Sequence, residues 1–208
     1  MSSIICETEL FDDGKNEWFK CCITHGLSYR LNLQADRAWQ GFNGELVTKI
    51  LDTASDEDAI EKLAAACSIE DKHWSWSKKG IVLDSDQYEW FYLLCGEEVE
   101  GICVIYHPEP SRIDEEEIFY VDFVAIHPRN RKNPFFEKGL KGVGTSLLKI
   151  ALNHSVEFLG YRPGFCLHSL PGAESYYERI GMTSFGRDVK KDNLTYFEMD
   201  SANSASFL

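Results

Sequence analysis

The stretch IFYVDFVAIHP (118–128), continued by RNRKNPFFEKGLKGVG (129–144) and TSLLKIALNHSVEFL (145–159), decides how this chain is read. The first part is an apolar run of strand type and the second a basic loop that ends in glycines. The third is helical: Leu147, Leu148, Ala151, Leu152, Phe158 and Leu159 fall on one face, with Lys149, Asn153 and Glu157 on another, and Gly160 stops it. A strand feeding a glycine turn at a helix N-terminus makes a phosphate seat, because unpaired N–H groups and the helix dipole both favour an anion. Gly139, Gly142 and Gly144 let the backbone approach such a ligand, and Lys138 and Lys141 add positive charge around it.

Two common phosphate signatures fail at this seat. A P-loop needs a lysine where Thr145 stands, and a dinucleotide fingerprint needs a glycine where Leu147 stands. An ATP-binding enzyme and a nicotinamide enzyme are thereby disfavoured. Downstream, AESYYERIGM (173–182) sets Ala173, Tyr177 and Gly181 four residues apart, so Ala173 and Tyr177 share a face of a short helix that Gly181 ends.

Turn and closing motif together resemble the GNAT family of acetyl-CoA-dependent N-acetyltransferases. VAIHP (124–128) resembles the family's strand exit, GLKGVG (139–144) its Arg/Gln-x-x-Gly-x-Gly/Ala turn, and AESYYERIGM its Ala-x-x-x-Tyr-x-x-x-Gly-Phe motif. The similarity covers roughly residues 88–199. Gly139 stands where the family usually has Arg or Gln, Leu170 where many members have a CoA-contacting Asn, and the loop 129–138 is longer than usual.

The resemblance implies an α/β fold with a central mixed, mostly antiparallel sheet flanked by helices, whose central strands splay to admit a pantetheine arm. It implies acetyl-CoA as co-substrate, with the backbone of Val124, Ala125 and Ile126 pairing with the arm. Gly139 and the turn Lys141, Gly142, Val143, Gly144 and Thr145 would hold the pyrophosphate. Tyr177 would be the acid that protonates the leaving thiolate, while Tyr176 points elsewhere and packs. Histone-type members carry a Glu where Tyr120 falls, so that base does not transfer. Asp122, which shares a strand face with Tyr120, Val124 and Ile126, and His168, at the end of the next strand, are the candidate bases, with a water relay as a third route. His127 is expected merely to leave the strand.

Composition bounds the size of the fold. The 208 residues, 44% hydrophobic, can bury one core, and a single domain over 1–208 is expected. Seven cysteines without zinc-type spacing read as reduced thiols, and no metal is expected. No apolar run is long enough to cross a membrane and no signal-like start is present, so a cytoplasmic protein without membrane partner is expected. The net charge of −13 disfavours nucleic acid and suits a cationic partner, although basic residues gather at 129–141 where a CoA phosphate would need them.

Along the rest of the chain, residues 1–27 are an N-terminal extension whose structure the sequence leaves undecided, with 16–23 fitting helix or strand. SYRLNLQ (28–34) alternates as a first strand, and 35–55 and 56–68 read as two helices, the second capped by Ser55. Trp74 and Trp76 read as packing rather than as a pocket. YEWFYLLC and GICVIYHP form a hairpin, the acidic run 114–117 a solvated turn, GFCLH a short strand, 182–186 and 194–199 a closing hairpin, and ANSASFL a loose tail.

The expected reaction is direct acetyl transfer to a primary amine without a covalent enzyme intermediate. The acceptor is a cationic small molecule of polyamine or aminoglycoside type, or a protein or peptide amine. The competing reading is a catalytically inactive GNAT-fold module that binds CoA. Proteins of this kind are commonly dimers, so a homodimer is among the expectations.

Overall fold

The computed structural model describes residues 3–208; Met1 and Ser2, the start of the N-terminal extension, lie outside it. Eight strands form one sheet in the order β1-β2-β3-β4-β5-β6-β8-β7: β1 (Ser3–Asp12), β2 (Glu17–His25), β3 (Tyr88–Cys95), β4 (Glu98–Pro110), β5 (Glu117–Ile126), β6 (Phe165–Ser169), β7 (Thr183–Asp188) and β8 (Leu194–Met199). β5 and β6 run parallel, whereas β1–β2, β2–β3, β6–β8 and β7–β8 are antiparallel. The mixed α/β architecture expected above is therefore present. Six α-helices accompany the sheet among the described residues: α1 (Tyr29–Thr53), α2 (Glu57–Ala66), α3 (Trp76–Val82), α4 (Val143–His154), α5 (Glu174–Arg179) and α6 (Ser201–Phe207). None is long and apolar enough to cross a membrane.

Packing divides the chain into two compact units. The first takes in the chain up to Asp84 together with Phe91–Ile102 and Ala125–Gly144. Residues 28–34, expected as a strand, are instead the N-cap and opening turns of α1. Ser28 accepts from the Leu31 N–H at 3.4 Å, and Leu31, Ala35 and Trp39 bury one helical face. The undecided segment 16–23 is strand, paired in a hairpin with β1. Asp56, not Ser55, caps α2: its carboxylate accepts from the Ala59 N–H at 2.9 Å, and the Ser55 hydroxyl donates to the same carboxylate. Leu46 and Ile50 pack with Cys67 and Ile69, and Ile60, Leu63, Phe135 and Phe136 close over them.

The short α3 was not foreseen. Asp36 on α1 accepts from the Trp76 and Ser77 N–H groups at 2.6 and 3.0 Å, thereby capping α3 across space. Trp76 lies edge-on to both Trp39 and Trp74, so the tryptophan pair packs as expected.

His127, at the exit from β5, is more deeply placed than a strand exit requires. Its ring lies edge-on to Trp39 and Phe42, and its Nδ1 accepts from the Arg129 N–H at 3.1 Å. Burial, reinforced by Arg129 and Arg131, pushes its pKa down to about 3. The unfolded chain therefore takes up a proton near pH 6.5 that the folded chain refuses. Stability from this group is complete above that pH and is lost as pH falls toward 3. A loss of about 3 kcal/mol between pH 7 and pH 4 is expected from His127 alone. Urea titrations of wild type and His127→Asn should show a shallower acid slope in the variant; equal slopes would contradict the assignment.

The second unit comprises Ser85–Trp90, Cys103–Val124 and Thr145–Leu208. α4 continues into a π turn, Ser155–Leu159, that Gly160 ends in the left-handed region at φ 75°. The stop stands where the sequence places it. The expected loose tail is a helix: Asp200 caps α6 by accepting from the Asn203 N–H at 2.7 Å, and Phe207 is buried near Phe165 at 6.1 Å between ring centroids. Ile118 on β5 and Cys166 on β6 pack with Tyr196 on β8, and Tyr120 packs against them.

Candidate active site

β5 and β6 are paired only over Phe119↔Phe165, Tyr120↔Cys166 and Val121↔Leu167, yet both strands run on. The splayed central strands expected from the sequence are thus present. Asp122 and His168 are the first residues past the last paired positions. Splaying leaves strand side chains unopposed, and here they line a cavity of about 350 Å³ within the second unit, with Tyr88, Tyr106, Glu109, Arg112, Tyr120, Asp188, Lys190, Lys191 and Tyr196 completing the wall. The volume is of small-ligand size.

His168 sits in the middle of a hydrogen-bond chain. Its Nδ1 lies 2.9 Å from the Tyr120 hydroxyl and its Nε2 3.3 Å from Asp188 Oδ2. The tautomer that satisfies all three groups places the proton on Nε2, donated to Asp188, so that Nδ1 accepts from the Tyr120 O–H. Burial lowers the His168 pKa and outweighs the upward pull of Asp188, which keeps the imidazole neutral and basic near pH 7. Burial likewise pushes the Tyr120 phenol up, with Asp122 adding to the effect. Asp188 is held below the usual carboxylate range, first by the Lys190 N–H and also by Arg112 and His168.

The wall behind this chain rests on Glu198, a fully buried carboxylate on β8. It accepts from the Ser111 hydroxyl at 2.5 Å, the Arg112 N–H at 2.8 Å, the Tyr196 hydroxyl at 3.0 Å and Arg162 Nη2 at 3.2 Å. Tyr196 then lies edge-on to His168 at 5.1 Å, and the Arg112 guanidinium covers the other part of its ring at 3.6 Å. None of the acidic run 114–117 lines the cavity.

The turn before α4 has the glycine geometry expected of it, with Gly142 at φ 81°. Among the described residues, none accepts from the N–H groups of Gly142, Val143, Gly144 or Thr145. Lys141 differs from expectation: its N–H donates to the Phe11 carbonyl and its Nζ pairs with Asp13 at 2.5 Å. Gly139 has a local reason to lack a side chain. A Cβ there would come within 2.5 Å of Asn130 Oδ1, the atom that accepts the Leu140 N–H. Asn130 and Arg129 in turn bind the buried Glu100 of β4. The long loop is thus tied down from inside the first unit, and Gly139 serves that tie.

Tyr177 is buried, its ring against Phe197 at 5.8 Å and edge-on to Tyr176. Burial raises its pKa and keeps it protonated. Tyr176, expected only to pack, reaches Thr145: the two hydroxyls lie 2.9 Å apart. The cavity brings the two candidate bases, Asp122 and His168, together, while Tyr120 as the hydrogen-bond partner of His168, and Asp188, Arg112 and Glu198, were not foreseen. The alternation of Tyr120 with Asp122 was the one available signal.

No protein-family model matches the sequence, and no curated protein matches it. Solved structures do. A PaiA N-acetyltransferase from Thermoplasma acidophilum in complex with coenzyme A aligns at 12% identity and TM-score 0.50, over 86% of this chain and 98% of that one. An acetyltransferase from Thermus thermophilus aligns at 12% identity and TM-score 0.51, over 85% and 96%. An uncharacterised protein from Bacillus halodurans aligns at 9% identity and TM-score 0.57, over 99% and 95%. The chain has the GNAT-type acetyltransferase fold.

Proposed function

We propose that this protein is an acetyl-CoA-dependent N-acetyltransferase whose primary-amine acceptor enters the cavity of the second unit. The observation that carries the reading is that the cavity's carboxylate and imidazole, Asp122 and His168, stand where β5 and β6 part in a fold of this type.

The turn of Gly142, Val143, Gly144 and Thr145 offers N–H groups at a helix start, suited to the pyrophosphate of acetyl-CoA. Asp122 draws the acceptor ammonium into the cavity, where it gives up one proton to solvent water and becomes the neutral amine that can attack. As the amine nitrogen attacks the thioester carbonyl, its proton passes to the Tyr120 oxygen while the Tyr120 proton passes to His168 Nδ1, and Asp188 stabilises the imidazolium. The C–S bond breaks, the acetamide forms, and Tyr177 gives its proton to the thiolate. Holding the two reactants in place supplies much of the acceleration. Polyamine-like and peptide amines both satisfy this chemistry. A CoA-binding module without turnover is the second reading, favoured by the internal use of Lys141 and Gly139.

Thermal unfolding with acetyl-CoA tests the seat. At a hundred times its dissociation constant the ligand should add about 2.7 kcal/mol of stability. Gly144→Asp should abolish that gain without unfolding the chain, because an acid in the first turn suits the helix but repels phosphate. A wild-type shift that survives Gly144→Asp would place the cofactor elsewhere, and a shift without acetylation of any amine would favour the inactive module.

A further inference from the structure

The cavity is not charged like a trap for polycations. Three carboxylates, Glu109, Asp122 and Asp188, are matched by three cations, Arg112, Lys190 and Lys191. Arg112 pairs with Asp188 at 3.3 Å, and the contrast among the remaining groups is one of depth. Asp122 and Glu109 are partly buried on the strands, whereas Arg112, Lys190 and Lys191 are exposed at the chain ends that frame them.

The engagements of these groups differ as well. Asp188 is occupied by His168 and Arg112. Lys191 rests over the Tyr120 ring at 5.3 Å, and neither lysine ammonium takes part in an ion pair among the described residues. Tyr88 and Tyr106, both in the cavity wall, form a tilted ring pair, 5.4 Å between centroids, that offers an apolar surface to a carbon chain.

Deepening the proposed function, on which it rests, we infer that the acceptor is a zwitterion: its amine is seated at Asp122 and its carboxylate at the Lys190–Lys191 rim. A diamine of equal length would bring its second ammonium against that rim, where like charges oppose it. A neutral amide would leave the lysines unmatched. The net acidity of the whole chain does not decide the acceptor, because local charge at the cavity is balanced.

Three probes of one length separate these cases: 5-aminopentanoate, 5-aminopentanamide and 1,5-diaminopentane. With acetyl-CoA present, kcat/KM for the zwitterion should exceed that for either other probe by about tenfold, the equivalent of one well-placed charge contact. The Lys190→Ala/Lys191→Ala double variant should bring the ratio of zwitterion to amide close to one. Preference for the diamine, or a ratio unchanged in the double variant, overturns the inference.

If no amine is acetylated, the enzyme reading fails by itself, and thermal unfolding with each probe alone still decides this one. Stabilisation by the zwitterion above the diamine, lost in the double variant, sustains it. Equal shifts, or none with any of the three, overturn it.

Discussion

Replacing Glu198 with alanine is expected to lower the unfolding free energy by about 3–5 kcal/mol, the cost of breaking a buried ion pair from one side. Glu198 is fully buried, and four donors converge on its two oxygens: Ser111 Oγ, Arg112 N, Tyr196 Oη and Arg162 Nη2. Alanine removes every acceptor at once. The Arg162 guanidinium, with only 8% of its side chain exposed, keeps its charge and loses this partner, retaining Asp114 at 2.8 Å. The Tyr196 hydroxyl is stranded beside it, and each unsatisfied buried group adds its own desolvation penalty.

Glu198→Gln keeps the shape and one acceptor, so a smaller loss is expected. The midpoint of urea unfolding for both variants gives the comparison. A loss below about 1 kcal/mol for alanine would mean that water replaces the carboxylate, against the buried role assigned to it. Because Tyr196 and Arg112 also wall the cavity, the glutamine variant should weaken acceptor binding before it unfolds the chain.

The parts of this architecture that were legible in the sequence are those where one short segment carries its own signal. The run 118–128, the glycine turn and α4 each announce themselves, by period, by the turn glycine Gly142 and by the Gly160 stop. SYRLNLQ misleads because seven residues of alternation also fit the opening of a helix. Leu31, Ala35 and Trp39 at intervals of four make the helix plain once the next ten residues are read with it. The tail was misread because its small polar residues mask an Asp200 cap and one anchoring Phe207.

Asp122 and His168 could be named as candidates because each sits on a strand whose place in the motif is fixed. Asp188, Arg112 and Glu198 could not, because Arg112 and Asp188 reach the cavity from the chain after β4 and from β7, and Glu198 supports its wall from β8. No spacing along the sequence links Arg112 to a carboxylate seventy-six or eighty-six positions away. The first-unit tie of Glu100 to Arg129 and Asn130 was hidden for the same reason.

His168→Ala is expected to lower kcat for amine acetylation by about two to four orders of magnitude, the usual range for a lost acid–base group, with a smaller change in KM. In the relay proposed above, the imidazole takes the proton that Tyr120 passes on, and Asp188 stabilises the cation that forms. Removing the ring leaves the Tyr120 hydroxyl without an acceptor 2.9 Å away. Tyr120→Phe breaks the same chain one step earlier, so it should cause a comparable loss in kcat. The double variant should be little worse than either single one, because groups acting in one relay are not additive.

The pH profile distinguishes this relay from a structural role for His168. Burial holds the imidazole pKa below its ordinary value near 6.5, so the neutral, basic form persists as pH falls through that point. The acid limb of kcat/KM should therefore lie below pH 6.5 in the wild type. In Asp188→Asn the upward pull of the carboxylate is lost, and the limb should move further down while kcat falls. A His168→Ala variant that keeps half of the wild-type kcat, or an acid limb that stays in place when Asp188 is neutralised, would remove His168 from the reaction and leave Asp122 or a water to accept the proton.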